Sequence, residues 1–265
     1  MDNSTDNKHI CIRNAGVTKN NNDYIFDFVN DTPGDIIHLA TKSITKTRFK
    51  NNIYWFGYEF EQGVSSQERK EFSDYIKGSG TKKIPEHDLR HFIEFSLIRN
   101  KVFDAYDIDC VVSPRSNRSE LVQKILEVLN GTLMHFTNGC SYELIKTAPL
   151  EIEFDFERFE DEYGDNPNYG QMLVHVHNDI MPKIKNLEYF SLAKNVKPKY
   201  RPFITNYLGF PNVDELKKFQ KMKGRNILIV DDINTSGSTL SEILRVLNKV
   251  NRNCNMFIYT LIGKQ

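Results

Sequence analysis

Apolar positions along this chain follow two rhythms. Short runs rich in aromatic and β-branched residues occur at Tyr24-Ile25-Phe26-Asp27-Phe28-Val29 and at Asn52-Ile53-Tyr54-Trp55-Phe56-Gly57-Tyr58, and such runs suit strands. Asp31-Thr32-Pro33-Gly34 between them is a turn signal. Elsewhere the spacing is three and four, which predicts helices. Residues 65–78 place Phe72, Tyr75 and Ile76 on one side, and His87–Asn100 carries Leu89, Phe92, Ile93, Phe95 and Leu97. Asn117–Leu129 carries Leu121, Val122, Ile125, Val128 and Leu129, with Ser119 as N-cap and Glu120 in the first turn. Compact apolar runs at Ile108–Val112 and Leu133–Phe136 read as strands. From about residue 85, helix and strand therefore alternate, which predicts an α/β fold built on a parallel sheet. Gly78-Ser79-Gly80 followed by Pro85 marks a boundary between an N-terminal α+β elaboration, residues 1–84, and a core domain, residues 85–265. Residues 1–20 are rich in Asn, Asp, Lys and Thr with few large apolar groups, and are expected to be disordered.

Composition narrows the class. The 265 residues are 39% hydrophobic, and 35 basic side chains balance 35 acidic ones. No stretch approaches the roughly 20 apolar residues of a membrane helix, and the opening MDNSTDNKHI lacks an apolar signal region. A soluble, cytoplasmic protein with no membrane partner is expected. Cys11, Cys110, Cys140 and Cys254 form no CxxC pair and no zinc-ligand spacing, and Cys110 reads as a small buried hydrophobe. Charge is unevenly placed. Residues 151–165 hold eight acids and one base, with Ile152, Phe154 and Phe156 alternating as in a half-exposed strand, either a solvated insertion or an acidic lip over a site. Residues 183–225 hold eleven Lys or Arg against Glu188, Asp214 and Glu215. Zero net charge argues against general nucleic-acid coating, while a local basic patch leaves nucleic acid open as a partner. His175 and His177 lack companions at ligand spacing and read as structural, so no metal ligand is assigned directly. Trp55 reads as core.

The most informative segment runs from Arg225 to Leu240, RNILIVDDINTSGSTL. Ile227–Val230 predict a buried parallel strand, Asp231 and Asp232 stand at its carboxyl end, and a loop of small residues follows. Leu240, Ile243, Leu244 and Leu247 then begin a helix. Ligands of open α/β sheets bind beyond the carboxyl ends of the strands. The loop Thr235–Thr239 leads into a helix N-terminus, whose free N–H groups and positive dipole end favour a phosphate. Gly237 lets the backbone approach closely, and the hydroxyls of Thr235, Ser236, Ser238 and Thr239 add donors. Two acids would repel that phosphate, so they make sense facing vicinal sugar hydroxyls instead.

This segment resembles the phosphoribosyl-pyrophosphate motif of type I phosphoribosyltransferases: an apolar strand, two acids, two apolar positions, then a Thr/Ser/Gly loop. One departure is Asn234, at a position that is usually apolar. The resemblance implies a doubly wound parallel sheet of that family's type. It implies a Mg2+ cofactor and phosphoribosyl pyrophosphate, or a related phosphorylated ribose, as ligand. It also implies Asp231 and Asp232 as the catalytic pair on the ribose, with Thr235, Ser236, Gly237, Ser238 and Thr239 around the 5′-phosphate. The family's upstream pyrophosphate loop corresponds to Ser113, Arg115, Ser116, Asn117 and Arg118, although no glycine occurs there. Its mobile closing loop corresponds to the segment holding Lys194, Lys197, Lys199 and Arg201.

The resemblance implies transfer of ribose 5-phosphate to a nitrogenous acceptor. The family's variable hood, which reads the acceptor, corresponds to residues 1–84, to a variable acidic insertion around 138–170, or to both, and neither matches a nucleobase site. Two other classes stay open: a non-catalytic sensor of phosphoribosyl pyrophosphate or nucleotides, and a nucleotide-targeting effector of a conflict system. Residues 1–84 are also open as a surface for a second copy or a protein partner.

Overall fold

The computed structural model describes residues 8–12, 15–20, 23–27, 52–60, 63–80, 82–99, 106–115, 119–132, 140–234 and 237–263. The predicted turn at 31–34 and the predicted strand at 133–136 lie outside them. The chain forms two compact units: residues 1–141, 224–235 and 253–265 make the first, and residues 142–223 with 236–252 make the second.

The first unit is built on a parallel sheet in the order Ile53–Glu59, Asn255–Gly263, Asn226–Ile233, Cys110–Pro114. An α/β fold with a mostly parallel sheet is thus what the alternation of elements predicted. One of its strands, Ile53–Glu59, comes from before residue 85. Ile227, Leu228, Ile229 and Val230 are all fully buried, so both faces of that strand are covered, as a parallel sheet requires.

Polar groups at the amino end of the sheet fix its register. The Asp109 carboxylate accepts from Arg225 Nη1 at 2.7 Å and from the Asn226 N–H at 2.8 Å. Asn226 Nδ2 donates to the Asp107 carbonyl, and Asn255 Nδ2 donates to Asn226 Oδ1, both at 2.9 Å. A slip of one residue would break this set and turn every side chain of the strand to the opposite face. The same bonds therefore fix where residues 231 and 232 emerge at the other end.

Helices Ser66–Ile76, Glu86–Arg99 and Leu121–Thr132 join one apolar cluster with Leu228, Val230, Phe257, Tyr259 and Leu261. Their buried apolar residues are among those the spacing predicted, including Phe72, Tyr75, Ile76, Phe92, Leu121 and Ile125, while Leu89 and Phe95 are only partly buried. Each fully buried large apolar side chain contributes about 1.5–3 kcal/mol. A capping box between Ser65 and Glu68 starts the first helix, and Ser119 Oγ accepts the Leu121 N–H at 3.1 Å before the third. Trp55 is 1% exposed and stacks on Phe257, which fits the core reading. Cys110 is fully buried, and burial pushes its thiol pKa well up, so it behaves as a small hydrophobe.

Residues Lys8–Ile12 and Ala15–Asn20 are strands, antiparallel to one another, and the second pairs with Asp23–Asp27. Composition placed this stretch outside the fold. A backbone ladder, however, needs hydrogen-bonding partners rather than an apolar majority, and Tyr24 of the third strand packs on Phe72 and Tyr75.

The second unit holds two short antiparallel pairings, Ile145–Lys146 with Leu208–Gly209 and Glu153–Phe154 with Ile204–Thr205. The acidic run is not the extended strand its alternation suggests. Only Glu153–Phe154 is extended, and Phe156–Tyr163 is a helix capped by Asp155, whose side chain accepts from the Arg158 N–H. Helical spacing wins because Phe159 must bury with Phe154 and Phe203, while Glu157, Glu160, Asp161 and Glu162 stay exposed. The helix Ser238–Val250 buries Leu240, Ile243, Leu244 and Leu247, as predicted.

Close approach of elements makes Gly57 a sensitive position. A Cβ there would run into Ser96 Oγ and lie 2.9 Å from the Leu261 carbonyl oxygen. Gly57→Ala is expected to destabilise the protein by about 1–3 kcal/mol. Urea unfolding checks this, and an unchanged midpoint would mean that the sheet and the Glu86–Arg99 helix do not pack this closely.

Candidate functional site

Alternation along Asn226–Ile233 puts Asp232 on the same side as Leu228 and Val230, and Asp231 on the side of Ile227 and Ile229. Both residues are buried, Asp231 at 6% and Asp232 at 8% exposure. Asp231 Oδ1 accepts the Asp232 N–H at 2.9 Å, and Asp232 Oδ1 accepts the Ile233 N–H at 2.5 Å. The other Asp232 oxygen, Oδ2, meets Lys77 Nζ at 2.7 Å.

These neighbours act on the acids with opposite signs. Burial raises the Asp231 pKa to about 7, and the negative charge of Asp232 adds to the rise. The bond from the Asp232 N–H and the Lys77 ammonium pull the other way and do not offset it. One proton or one cation at this strand end would relieve the repulsion.

The strand end is braced from behind. Thr260, which lies opposite Asp231 in the register, is fully buried and shares a 2.9 Å hydrogen bond with Tyr54 Oη. That hydroxyl also accepts from Asn234 Nδ2 at 3.0 Å. Asn234, the departure from the family pattern, is thus accommodated: its amide has a buried hydroxyl to bond, and its N–H donates to the Ile262 carbonyl.

In the second unit, Gly237 has φ +71 and precedes Ser238, the first residue of the Ser238–Val250 helix. This left-handed conformation favours glycine. Tyr207 Oη donates to the Ser238 carbonyl at 2.8 Å, and the Tyr207 N–H donates to the buried Glu242 carboxylate, which Arg245 also holds. The first turn of this helix, with Ser238 and Thr239, is therefore anchored. Thr235 and Ser236 lie outside the described residues.

The remaining predicted residues divide. Ser113 is buried at the end of the Cys110–Pro114 strand and Arg115 is exposed, while Ser116, Asn117 and Arg118 lie outside the described residues. Lys194, Lys197 and Lys199 are exposed. Lys199 Nζ sits 4.7 Å from the centroid of the Tyr200 ring. Arg201 bonds the carbonyls of Val196 and Ala193 at 2.8 and 2.7 Å. Of the two histidines, His175 pairs with Asp179 and His177 stacks on Phe156. Sequence reasoning missed Lys77, Tyr54 and Thr260. Lys77 follows a helix and precedes a glycine, where a lysine carries no periodic signal, and the other two are ordinary strand residues until the pairing is known.

An α/β unit with two acids at the carboxyl end of a buried parallel strand is the class of protein this site defines. Residues 190–264 match the family model of the phosphoribosyl transferase domain. This match bears out the resemblance to type I phosphoribosyltransferases over those residues, which take in the basic segment, the acid pair and the loop after it. No curated protein sequence matches the chain. Among solved structures, a crystal structure of adenine phosphoribosyltransferase aligns at 12% identity and a TM-score of 0.34, covering 68% of this chain and 72% of that one.

The raised Asp231 pKa predicts a pH dependence of stability. The folded chain holds this proton more tightly than the unfolded chain does. The contribution is therefore full below the ordinary value of 3.8 and is lost as pH rises through about 7. Asp231→Asn removes that loss. The variant should gain on the wild type by about 2–4 kcal/mol between pH 4 and pH 8. Urea denaturation of both proteins across that range checks this, and a pH-independent difference would contradict it.

Proposed function

We propose that this protein binds phosphoribosyl pyrophosphate with Mg2+ and transfers ribose 5-phosphate to a nitrogenous acceptor. The observation that carries the reading is a buried pair of acids ending an apolar parallel strand, inside a segment that matches the phosphoribosyl transferase domain. In this reading Asp231 and Asp232 accept hydrogen bonds from the ribose hydroxyls, and Thr235 to Thr239 receive the 5′-phosphate. Ser113, Arg115, Ser116, Asn117 and Arg118 serve the pyrophosphate. Lys194, Lys197 and Lys199 are more available for closing over it than Arg201, whose guanidinium already bonds two carbonyls. Residues 1–84 and the insertion around 138–170 are the candidates for reading the acceptor.

The acid pair fits Mg2+, a hard cation that binds through one or two carboxylates and completes its shell with water and ligand phosphates. No group of three or more His, Cys, Asp or Glu placed to hold a metal ion occurs among the described residues, so the ligand would have to supply the rest of that shell. When bound, the ion neutralises charge on the departing pyrophosphate. The chain's own contribution is positional and electrostatic: it holds the ribose, screens the leaving group and keeps water from the developing oxocarbenium centre.

The soluble setting expected of such an enzyme is compatible with the helices, none of which, among the described residues, is long and apolar enough to cross a membrane. The double variant Asp231→Asn, Asp232→Asn should keep its circular dichroism and lose affinity for phosphoribosyl pyrophosphate with Mg2+. Two charge-assisted hydrogen bonds are worth roughly 1.5–3 kcal/mol each, so the loss should be about 100-fold or more. Calorimetry reads it, and unchanged affinity in the folded variant would sink the assignment. A pyrophosphate-release screen across bases, amines and nucleotides then separates an enzyme from a sensor.

A further inference from the structure

Lys77 belongs to no predicted site, yet the structure brings its ammonium to the acid pair. It follows the Ser66–Ile76 helix as the C-cap, and its own N–H is taken by the Ser73 and Tyr75 carbonyls. Gly78 turns the chain at φ +64, and the Ser79 and Gly80 N–H groups close on the Asp74 carbonyl. This turn fixes the point from which the side chain extends. Nζ then reaches Asp232 Oδ2 at 2.7 Å, with the lysine side chain 29% and the aspartate side chain 11% exposed.

Two further features make this more than a surface ion pair. Lys77 also borders a cavity of about 280 Å³ that Gly78, Lys83, Ile84, Glu120 and Lys124 help to line. Among the described residues Lys83 makes no ion pair, whereas Lys124 is held by Glu86, which also lines the cavity, and by Glu127. Second, Asp232 is buried, so its charge cannot be left unanswered, whereas the partly exposed ammonium can return to water. The lysine therefore leaves only when something else meets the carboxylate, and a doubly charged cation there competes with it directly.

We propose that Lys77 is a displaceable counter-ion of the acid pair. Its ammonium holds Asp232 while the site is empty and yields that carboxylate to a divalent cation or to ligand hydroxyls. It then faces the ligand's phosphate-class anion from the cavity it borders. The last step rests on the function proposed above, and the exchange with a cation does not. Lys77 is a positioning residue for the acids and a binding residue for the anion.

Mn2+ alone tests the exchange, read by the paramagnetic signal of the free ion. Lys77→Met should bind Mn2+ about tenfold tighter than wild type, because an opposite charge within reach of a carboxylate shifts its ion affinity by at least that factor. Lys77→Arg should resemble wild type, and Asp232→Asn in the Lys77→Met background should abolish the gain. In the unaltered protein, acetylation of Lys77 followed by mass spectrometry should rise on adding Mn2+ while that of Lys83 stays level. This arm holds even if Lys77→Met fails to fold. Equal Mn2+ affinity of wild type and folded Lys77→Met, or Lys77 acetylation indifferent to saturating Mn2+, would overturn the proposal. Titration with phosphoribosyl pyrophosphate and Mg2+ separates the two claims. Release of Lys77 by Mn2+ in a protein that takes no donor would leave the counter-ion standing and remove the functional reading.

Discussion

Burying a carboxylate costs several kcal/mol unless something answers its charge, and residues 231 and 232 bury two in succession. The surrounding first unit is arranged around that cost. One ammonium, from Lys77, meets Asp232, and backbone N–H groups meet the nearer oxygen of each acid. Asp231 is left with a raised pKa. Well-packed apolar residues of similar size would be as stable or more so, which is the physical ground for the binding role proposed for the pair. A strand end kept electrostatically unsatisfied is a place where a cation or a hydroxylated ligand gains free energy on binding.

What keeps the acids there is the register of the strand that carries them. Asp109, Arg225, Asn226 and Asn255 tie three neighbouring segments together at the amino end. At the carboxyl end Thr260, Tyr54 and Asn234 form a polar chain. Tyr54 comes from a strand before residue 85, and Lys77 from the end of a helix before residue 85. The N-terminal third of the chain therefore contributes to the acid pair and its bracing.

Much of this was legible in the sequence because periodicity and composition are local. The helix at 66–76, the strand at 226–233 and the helix at 238–250 each announce themselves through spacing, and the acids stand out against four apolar neighbours. The acidic stretch misled because Ile152, Phe154 and Phe156 alternate over a window too short to separate a strand from a helix entry. The paired strands Lys8–Ile12 and Ala15–Asn20 misled because backbone pairing leaves little trace in composition. Lys77 was illegible for a different reason: its meaning depends on Asp232, 155 positions away in sequence by their numbering, and only the folded chain brings the two together.

The charge state of the acid pair is the quantity on which the account turns. Carbon-13 NMR of the aspartate side-chain carboxyl groups, assigned through Asp231→Asn, follows it directly during a pH titration with and without phosphoribosyl pyrophosphate and Mg2+. Asp231 is expected to titrate near 7 in the empty protein, and its titration to move down by at least a unit when the ligand and cation bind. A carboxyl group that titrates near 4 in the empty protein and does not respond to the ligand would contradict it.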